Sequence, residues 1–370
     1  MSITRFTYAM TLTLASYAGQ VTASSSFIAT EHYQVKIETV AKGLGHPWGL
    51  AFLPDGQLLV TERNGKMRLI KDGKLSAPIQ GLPEIAVGGQ GGLLDVLLDK
   101  NFSQNRQIYF SYSEPGQGGS STAVAKATLT GNALENVKVV FSQQPKVESR
   151  HHFGGRLVQQ ADGHLFIGLG DRGNQRDGSQ QLTGHIGKVI RIDPNGEAAK
   201  DNPFVKQADA QASIWSYGHR NIQGATLDAQ GRLWTHEHGP QGGDEINIAQ
   251  PGLNYGWPVI TYGEEYGGGV IGKTAAEGME QPLHLWTPSI APSGMSFYQG
   301  TTFPKWQQNL LIGSLKFGQL VRLEVKDDKV MHEERIQIGK RIRDVRTAPD
   351  GTVYLLTDEN NGSVLKLSAI

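Results

Sequence analysis

The chain has 370 residues, 35 of them basic and 35 acidic, so its formal net charge is zero. That balance excludes nucleic acid as the main partner, because a nucleic-acid binder presents a basic face. It contains no cysteine, which excludes disulfides, thiolate metal sites, iron–sulfur clusters and thiol nucleophiles.

Residues 1–23 carry the pattern of a cleavable export signal. Arg5 is a short positive region, residues 6–19 are moderately apolar, and Val21-Thr22-Ala23 fits a small-residue cleavage site. The mature chain is expected to begin near Ser24 and to be periplasmic or secreted. No other window is long and apolar enough to span a membrane, so no membrane insertion is expected. Residues 24–370 are expected to form one domain.

A strand is predicted at 33–40 (Tyr-Gln-Val-Lys-Ile-Glu-Thr-Val). Behind it one pattern recurs: a small or apolar lead-in, an Asp-Gly or similar turn, a β-rich run, a second turn and another strand. It runs through residues 48–70 around Asp55-Gly56 and through 155–170 around Asp162-Gly163, with Lys188–Ile192 completing that unit. It returns at 223–235 around Gln230-Gly231 and at 342–367 around Asp350-Gly351. Looser copies begin near Gly92, with strands at 107–112 and 121–129, and near Gly294, with strands at 309–314 and 319–325. Each Asp-Gly suits a hairpin that needs positive φ, and helical periodicity is absent. Repeats of about 40–50 residues with about four strands each are the signature of propeller blades. The fold predicted is all-β: a six-bladed β-propeller of four-stranded antiparallel blades, its ring closed by the N-terminal strand, which removes a free edge.

A propeller gathers loops from different blades at one mouth, so the polar segments are read together. Gln90 sits in the glycine-rich bend 88–92, where the backbone can be approached closely. His151-His152 stands at the entrance to an inner strand, and a histidine there suits proton removal. Gly168–Gly173 spells a dinucleotide fingerprint but lacks the helix that would bind a pyrophosphate, so a blade turn is the reading. Residues 217–258 are the densest stretch. Arg220 and Asn221 offer fixed donors, Gly239 and Pro240 bare carbonyls that suit Ca²⁺, and Asp244 and Glu245 hard oxygen ligands. His236 and His238 share a strand face, but zinc would need a third ligand nearby. Lys316, Arg341 and Arg343 are cations that would repel one another unless they meet an anion.

Taken as a set, eight motifs carry a family resemblance: Gly-Gln-Gly-Gly-Leu-Leu (89–94), His-Phe-Gly-Gly-Arg-Leu (152–157), Gly-His-Arg-Asn-Ile-Gln-Gly (218–224), His-Gly-Pro (238–240), Asp-Glu-Ile-Asn (244–247), Asn-Tyr-Gly-Trp-Pro (254–258), Ser-Leu-Lys (314–316) and Arg-Ile-Arg-Asp-Val (341–345). From about Tyr33 to Leu367 the chain resembles the soluble quinoprotein sugar dehydrogenases, in particular their broad-specificity aldose branch. The resemblance implies a six-bladed propeller carrying pyrroloquinoline quinone (PQQ), a tricarboxylate ortho-quinone, with Ca²⁺. It implies His152 as general base, and Gln90, Arg220, Asn221, Lys316, Arg341 and Arg343 as cofactor-binding residues, with Tyr266 a candidate for the cofactor rim. It implies the carbonyls of Gly239 and Pro240 as ligands of a calcium at the quinone, and Glu245 and Tyr255 as part of a second, structural calcium site. The implied activity is oxidation of the C1 hydroxyl of aldose sugars to lactones, with Ca²⁺ and Arg220 polarising the quinone. One position departs: the glucose dehydrogenase branch has an aspartate directly before the base, where this chain has His151, so the orientation of the base is left open. A separate electron acceptor is expected, since no haem attachment motif is present, and the protein is expected to be a monomer or homodimer. Two rivals differ in class. A calcium-dependent propeller lactonase would hold its metal with axial carboxylates, and a non-catalytic glycan-binding propeller would not need several cations at one mouth.

Overall fold

The structure is a computed structural model and describes residues 25–370. The export signal read at residues 1–23 lies outside the described residues. Among the described residues no helix is long and apolar enough to cross a membrane.

Six antiparallel sheets follow one another along the chain. The first strands of the six blades are Pro47–Phe52, Leu93–Leu98, Gly154–Gln159, Ile222–Leu227, Pro292–Phe297 and Ile342–Thr347. They begin within two residues of the repeat starts read from the sequence. Each contacts the first strand of the next blade, and the last contacts the first, so the ring closes. The predicted hairpin is present locally. In blade one Leu53 N donates to Gln57 O at 2.9 Å and Gly56 N to Leu53 O at 3.0 Å. Gly56 takes φ 82° there, a conformation that a side chain resists. The same loop recurs at 162–163 and 350–351, where the aspartate accepts a backbone N–H two residues on, at 3.0 Å and 2.9 Å.

The core is divided among the blade interfaces. Ala51, Leu59, Phe110 and Ala125 pack between blades one and two, whereas Tyr109, Val124, Leu157 and Ile167 pack between two and three. Further clusters fill the interfaces three–four, four–five, five–six and six–one. Successive residues of one strand therefore serve opposite interfaces: Leu310 and Ile312 face blade four, Leu311 faces blade six. This is why second strands such as Leu310–Ser314 and Leu165–Leu169 read as nearly unbroken apolar runs, buried on both faces.

Ring closure is as predicted, with one addition. Strand Gln34–Leu44 pairs with Gly362–Ala369, and Ser25–Ala29 adds a further strand outside it, so the sixth sheet has five strands. Glu31, between those two N-terminal strands, reaches the fully buried Arg322 of blade five at 2.8 Å. Arg322 also binds Glu334 and Glu324, each at 2.7 Å.

Below the mouth the axis is plugged by charge. Arg156 lies 2.9 Å from Asp344 and 3.3 Å from Asp95, and Arg346 spans the same two carboxylates at 2.9 and 2.8 Å. All four belong to first strands. Arg156 also stacks over Trp48 at 4.1 Å.

Candidate active site

Two kinds of loop meet at the mouth: those leading into a first strand and those leaving a second strand. The former supply His46, Gln90, His152, Arg220, Asn221 and Arg341. The latter supply Arg63, Asp171, His238–Pro240, Lys316 and Asp358, which follow Leu58–Glu62, Leu165–Leu169, Leu233–Glu237, Leu310–Ser314 and Val353–Thr357. Residues far apart in sequence are neighbours here because every blade points the same pair of loops at the axis.

On the side of blades three and four lies His152. Its Nδ1 is 2.6 Å from Asp171 Oδ1, and its backbone N–H donates to Gln90 Oε1 at 2.8 Å. The other Asp171 oxygen accepts the Trp257 indole N–H at 2.8 Å. Burial pushes the His152 pKa below its ordinary value, although Asp171 pulls it up. Asp171 is itself held below the usual carboxylate range: burial opposes this, but His152, the Gly173 N–H and the Arg220 charge together outweigh it. An ionised Asp171 makes Nδ1 the protonated nitrogen and leaves Nε2 as the basic one. His151 is exposed, and the carboxylate that meets the imidazole is Asp171, from the loop after the second strand of blade three. Asp171 was missed because it lies inside the Gly168–Gly173 segment read only as a turn. That segment indeed turns out of a strand into the short 3₁₀ helix Arg176–Gln180.

Arg220 lies beside His152. Its Nη1 donates to the carbonyls of His238 at 3.0 Å and Gly239 at 2.9 Å, and its guanidinium stacks 5.2 Å from the Trp257 ring. Its backbone N–H donates to Glu237, which also holds the buried His219 at 2.9 Å. The Pro240 carbonyl accepts no backbone hydrogen bond among the described residues. His152, Arg220, Pro240, Gln90 and the largely exposed Tyr266 line one cavity of about 1280 Å³.

Gln90 also borders a second cavity of about 490 Å³, which runs toward blades five, six and one. Its walls carry Arg63, Lys316, Arg341, Arg343, Asn221 and Asp358. Asp358 organises the cations: Arg343 binds it at 2.8 Å, His46 at 2.7 Å and Arg341 at 3.5 Å. Neither Asp358 nor Arg63 was singled out from the sequence. The available signal was their place just after a second strand, the place that Lys316 also occupies.

Gly239, Glu245 and Tyr255 gather with Arg220 around a small void, whereas Pro240 lines the outer cavity. Glu245 faces Glu237 across the strand pair. Burial, and then the Glu237 charge, push the Glu245 pKa up to about 8. Tyr255 stacks on His219 at 4.8 Å, and its hydroxyl is spent between Ile248 O and Gln250 N. His238 Nε2 meets the Pro292 carbonyl at 2.7 Å, and no group of three His, Cys, Asp or Glu with metal-ligand geometry occurs among the described residues.

Residues 44–366 match the Glucose / Sorbosone dehydrogenase family. The chain belongs to that family. Among glucose/sorbosone dehydrogenase relatives, it is 48% identical over 345 residues to aldose sugar dehydrogenase YliI of Escherichia coli, covering 90% of this chain and 93% of the relative. The crystal structure of the soluble aldose sugar dehydrogenase from Escherichia coli in the apo-form superimposes with a TM-score of 0.88 at 47% identity, covering 91% of this chain and 100% of that one. The PQQ-bound form of aldose sugar dehydrogenase from Streptomyces coelicolor gives a TM-score of 0.76 at 28% identity, covering 94% of this chain and 99% of that one. The family read from the motifs is therefore the family found, and its propeller is the fold seen here.

Proposed function

We propose that the protein oxidises the C1 hydroxyl of cyclic aldose sugars to lactones, with PQQ and Ca²⁺ as resident cofactors. The observation that carries this reading is the joining of two unlike halves through Gln90: an oriented histidine base on one side and converging cations on the other.

The residues present fit a compact polyanion. The Nε atoms of Arg220 and Arg343 are both buried without a hydrogen-bond partner, which is costly unless a ligand accepts them. Lys316 makes no ion pair among the described residues. Lys316, Arg341 and Arg343 would hold carboxylates through charge-assisted bonds, and Gln90 and Asn221 would bind polar edges of the cofactor. Tyr266 would close the outer rim. The carbonyls of Gly239 and Pro240 would hold a calcium at the quinone. Glu245, crowded by Glu237, would serve a second, structural one, with the Tyr255 carbonyl as its partner because the hydroxyl is committed.

When bound, PQQ supplies an acceptor for the two electrons that leave C1 as hydride. The chain supplies the rest. His152 Nε2 takes the proton of the anomeric hydroxyl, while Asp171 keeps the ring in register and stabilises the imidazolium that forms. The Arg220 guanidinium stands beside the base as a fixed positive group where oxygen charge develops, and it costs no reorganisation. Loss of one proton and one hydride converts the hemiacetal into the lactone. The lactonase alternative has less support: Asp358 in the inner cavity is tied to arginine and histidine, and in the outer cavity Asp171 is tied to His152 and Trp257 and Glu265 to Arg176.

The test is reconstitution. Apoprotein given PQQ and Ca²⁺ should reduce an artificial dye in the presence of a panel of aldoses and release lactone. No dye reduction and no bound-quinone absorbance would overturn the proposal.

A further inference from the structure

The inner cavity is lined by four permanent cations, Arg63, Lys316, Arg341 and Arg343, and by one carboxylate, Asp358. With its histidines neutral, four cations less one carboxylate leave a surplus of three positive charges. Without Arg63 the surplus is two. These cations form an arc over adjacent blades: Lys316 from blade five, Arg341 and Arg343 from six, Arg63 from one. Arg63 is half-buried and its guanidinium has no hydrogen-bond or ion-pair partner among the described residues, unlike Arg343, which binds Gln223 and Asp358. Its nearest charges are Asp358 and the two arginines of blade six, and burial lowers its pKa. A guanidinium brought among other cations and given no partner is unfavourable by itself. It becomes favourable when a third negative charge arrives.

We propose that Arg63 is a cofactor-binding residue that completes the charge match to the three carboxylates of PQQ, binding through the guanidinium that lines the inner cavity. This rests on the proposed PQQ function of the same site. Its place follows from fold rather than motif, because it leaves the second strand of blade one just as Lys316 leaves that of blade five.

The test measures binding, not turnover. Apoprotein is titrated with PQQ at fixed Ca²⁺, following quenching of tryptophan fluorescence, for the wild type, R63Q and R63K. R63Q should bind roughly tenfold or more weakly, and R63K, which keeps the charge, should recover most of that loss. The trimethyl ester of PQQ, whose carboxylates are masked, should bind wild type and R63Q alike. Melting curves of the apoproteins check that each variant is folded. Equal PQQ affinity of wild type and R63Q would overturn the role of Arg63 alone. So would an equal loss on the ester, since that would mean shape rather than charge. Failure of the wild type to bind PQQ would overturn the proposed function together with this inference.

Discussion

Asp171 Oδ1 lies 2.6 Å from His152 Nδ1, because the two residues flank the open end of the first hairpin of blade three, where Gly154 pairs with Leu169. The carboxylate is anchored on its far side by Trp257 of blade four, so the base is oriented by a chain of bonds that crosses a blade interface. Such an arrangement selects one imidazole tautomer before any substrate arrives.

His152→Gln should abolish turnover and leave PQQ affinity intact. Asp171→Asn should lower kcat roughly hundredfold with little change in KM, because it disturbs the proton acceptor and not the binding surface. Burial already holds the His152 pKa low and Asp171 raises it. The acid limb of kcat/KM should therefore lie below about 6.5, the ordinary histidine value, and should move to still lower pH in Asp171→Asn. A limb that moves upward would sink this assignment.

The blade-six arginines should differ. Arg343 is 8% exposed and Arg341 55% exposed. A desolvated charge pair is worth several kcal/mol when broken and an exposed one about 0–1 kcal/mol. Arg343→Ala should thus weaken PQQ binding roughly a hundredfold and Arg341→Ala less than about tenfold. Calorimetric titration of the apoprotein distinguishes them, and equal losses would contradict the burial argument.

Asp358 neutralises Arg343 and holds His46 at 2.7 Å. Burial raises its pKa, but Arg343, His46 and Arg63 outweigh that and leave it depressed. Stability from a depressed carboxylate is present above the unfolded value of about 3.9 and is lost as pH falls through the lower folded value. Asp358→Asn should lower apoprotein stability at neutral pH by about 3 kcal/mol, since it leaves buried cations unpaired. It should also flatten the pH dependence of unfolding below about pH 4. Denaturant melts at several pH values provide the check.

Arg322 ties the N-terminal closure to blade five through Glu31 and Glu334. Arg322→Met should destabilise the fold by about 3 kcal/mol, because the mostly buried Glu334 loses its partner. PQQ affinity should stay unchanged, as Arg322 lines neither mouth cavity. Coupled loss of binding would show that ring closure and site geometry are linked more tightly than proposed here.

Much of the site was legible because its motifs are local: His152, Arg220–Asn221, Gly239–Pro240 and Arg341–Arg343 each sit in a short segment of distinctive residues. Asp171, Asp358 and Arg63 were not. Each follows a second strand in an ordinary-looking turn, and its meaning depends on a residue in another loop: His152 for Asp171, Arg343 for Asp358, the blade-six cations for Arg63. The strand Ser25–Ala29 also escaped, since a run of five residues shows too little alternation to be read.

The amino-acid order alone determined the hairpins, because an Asp-Gly turn between β-rich runs is a local conformational preference, and their regular return determined the propeller. It also determined which residue types were available to hold an anion and take a proton. Only the closed ring decided which of them face one another. Its hairpins and interfaces bring paired loops to one axis, setting Asp171 behind His152 and Arg63 among the cations of blades five and six. The first pairing is set by strand pairing within blade three and the second by packing between blades, and neither is encoded by a single short segment of the chain.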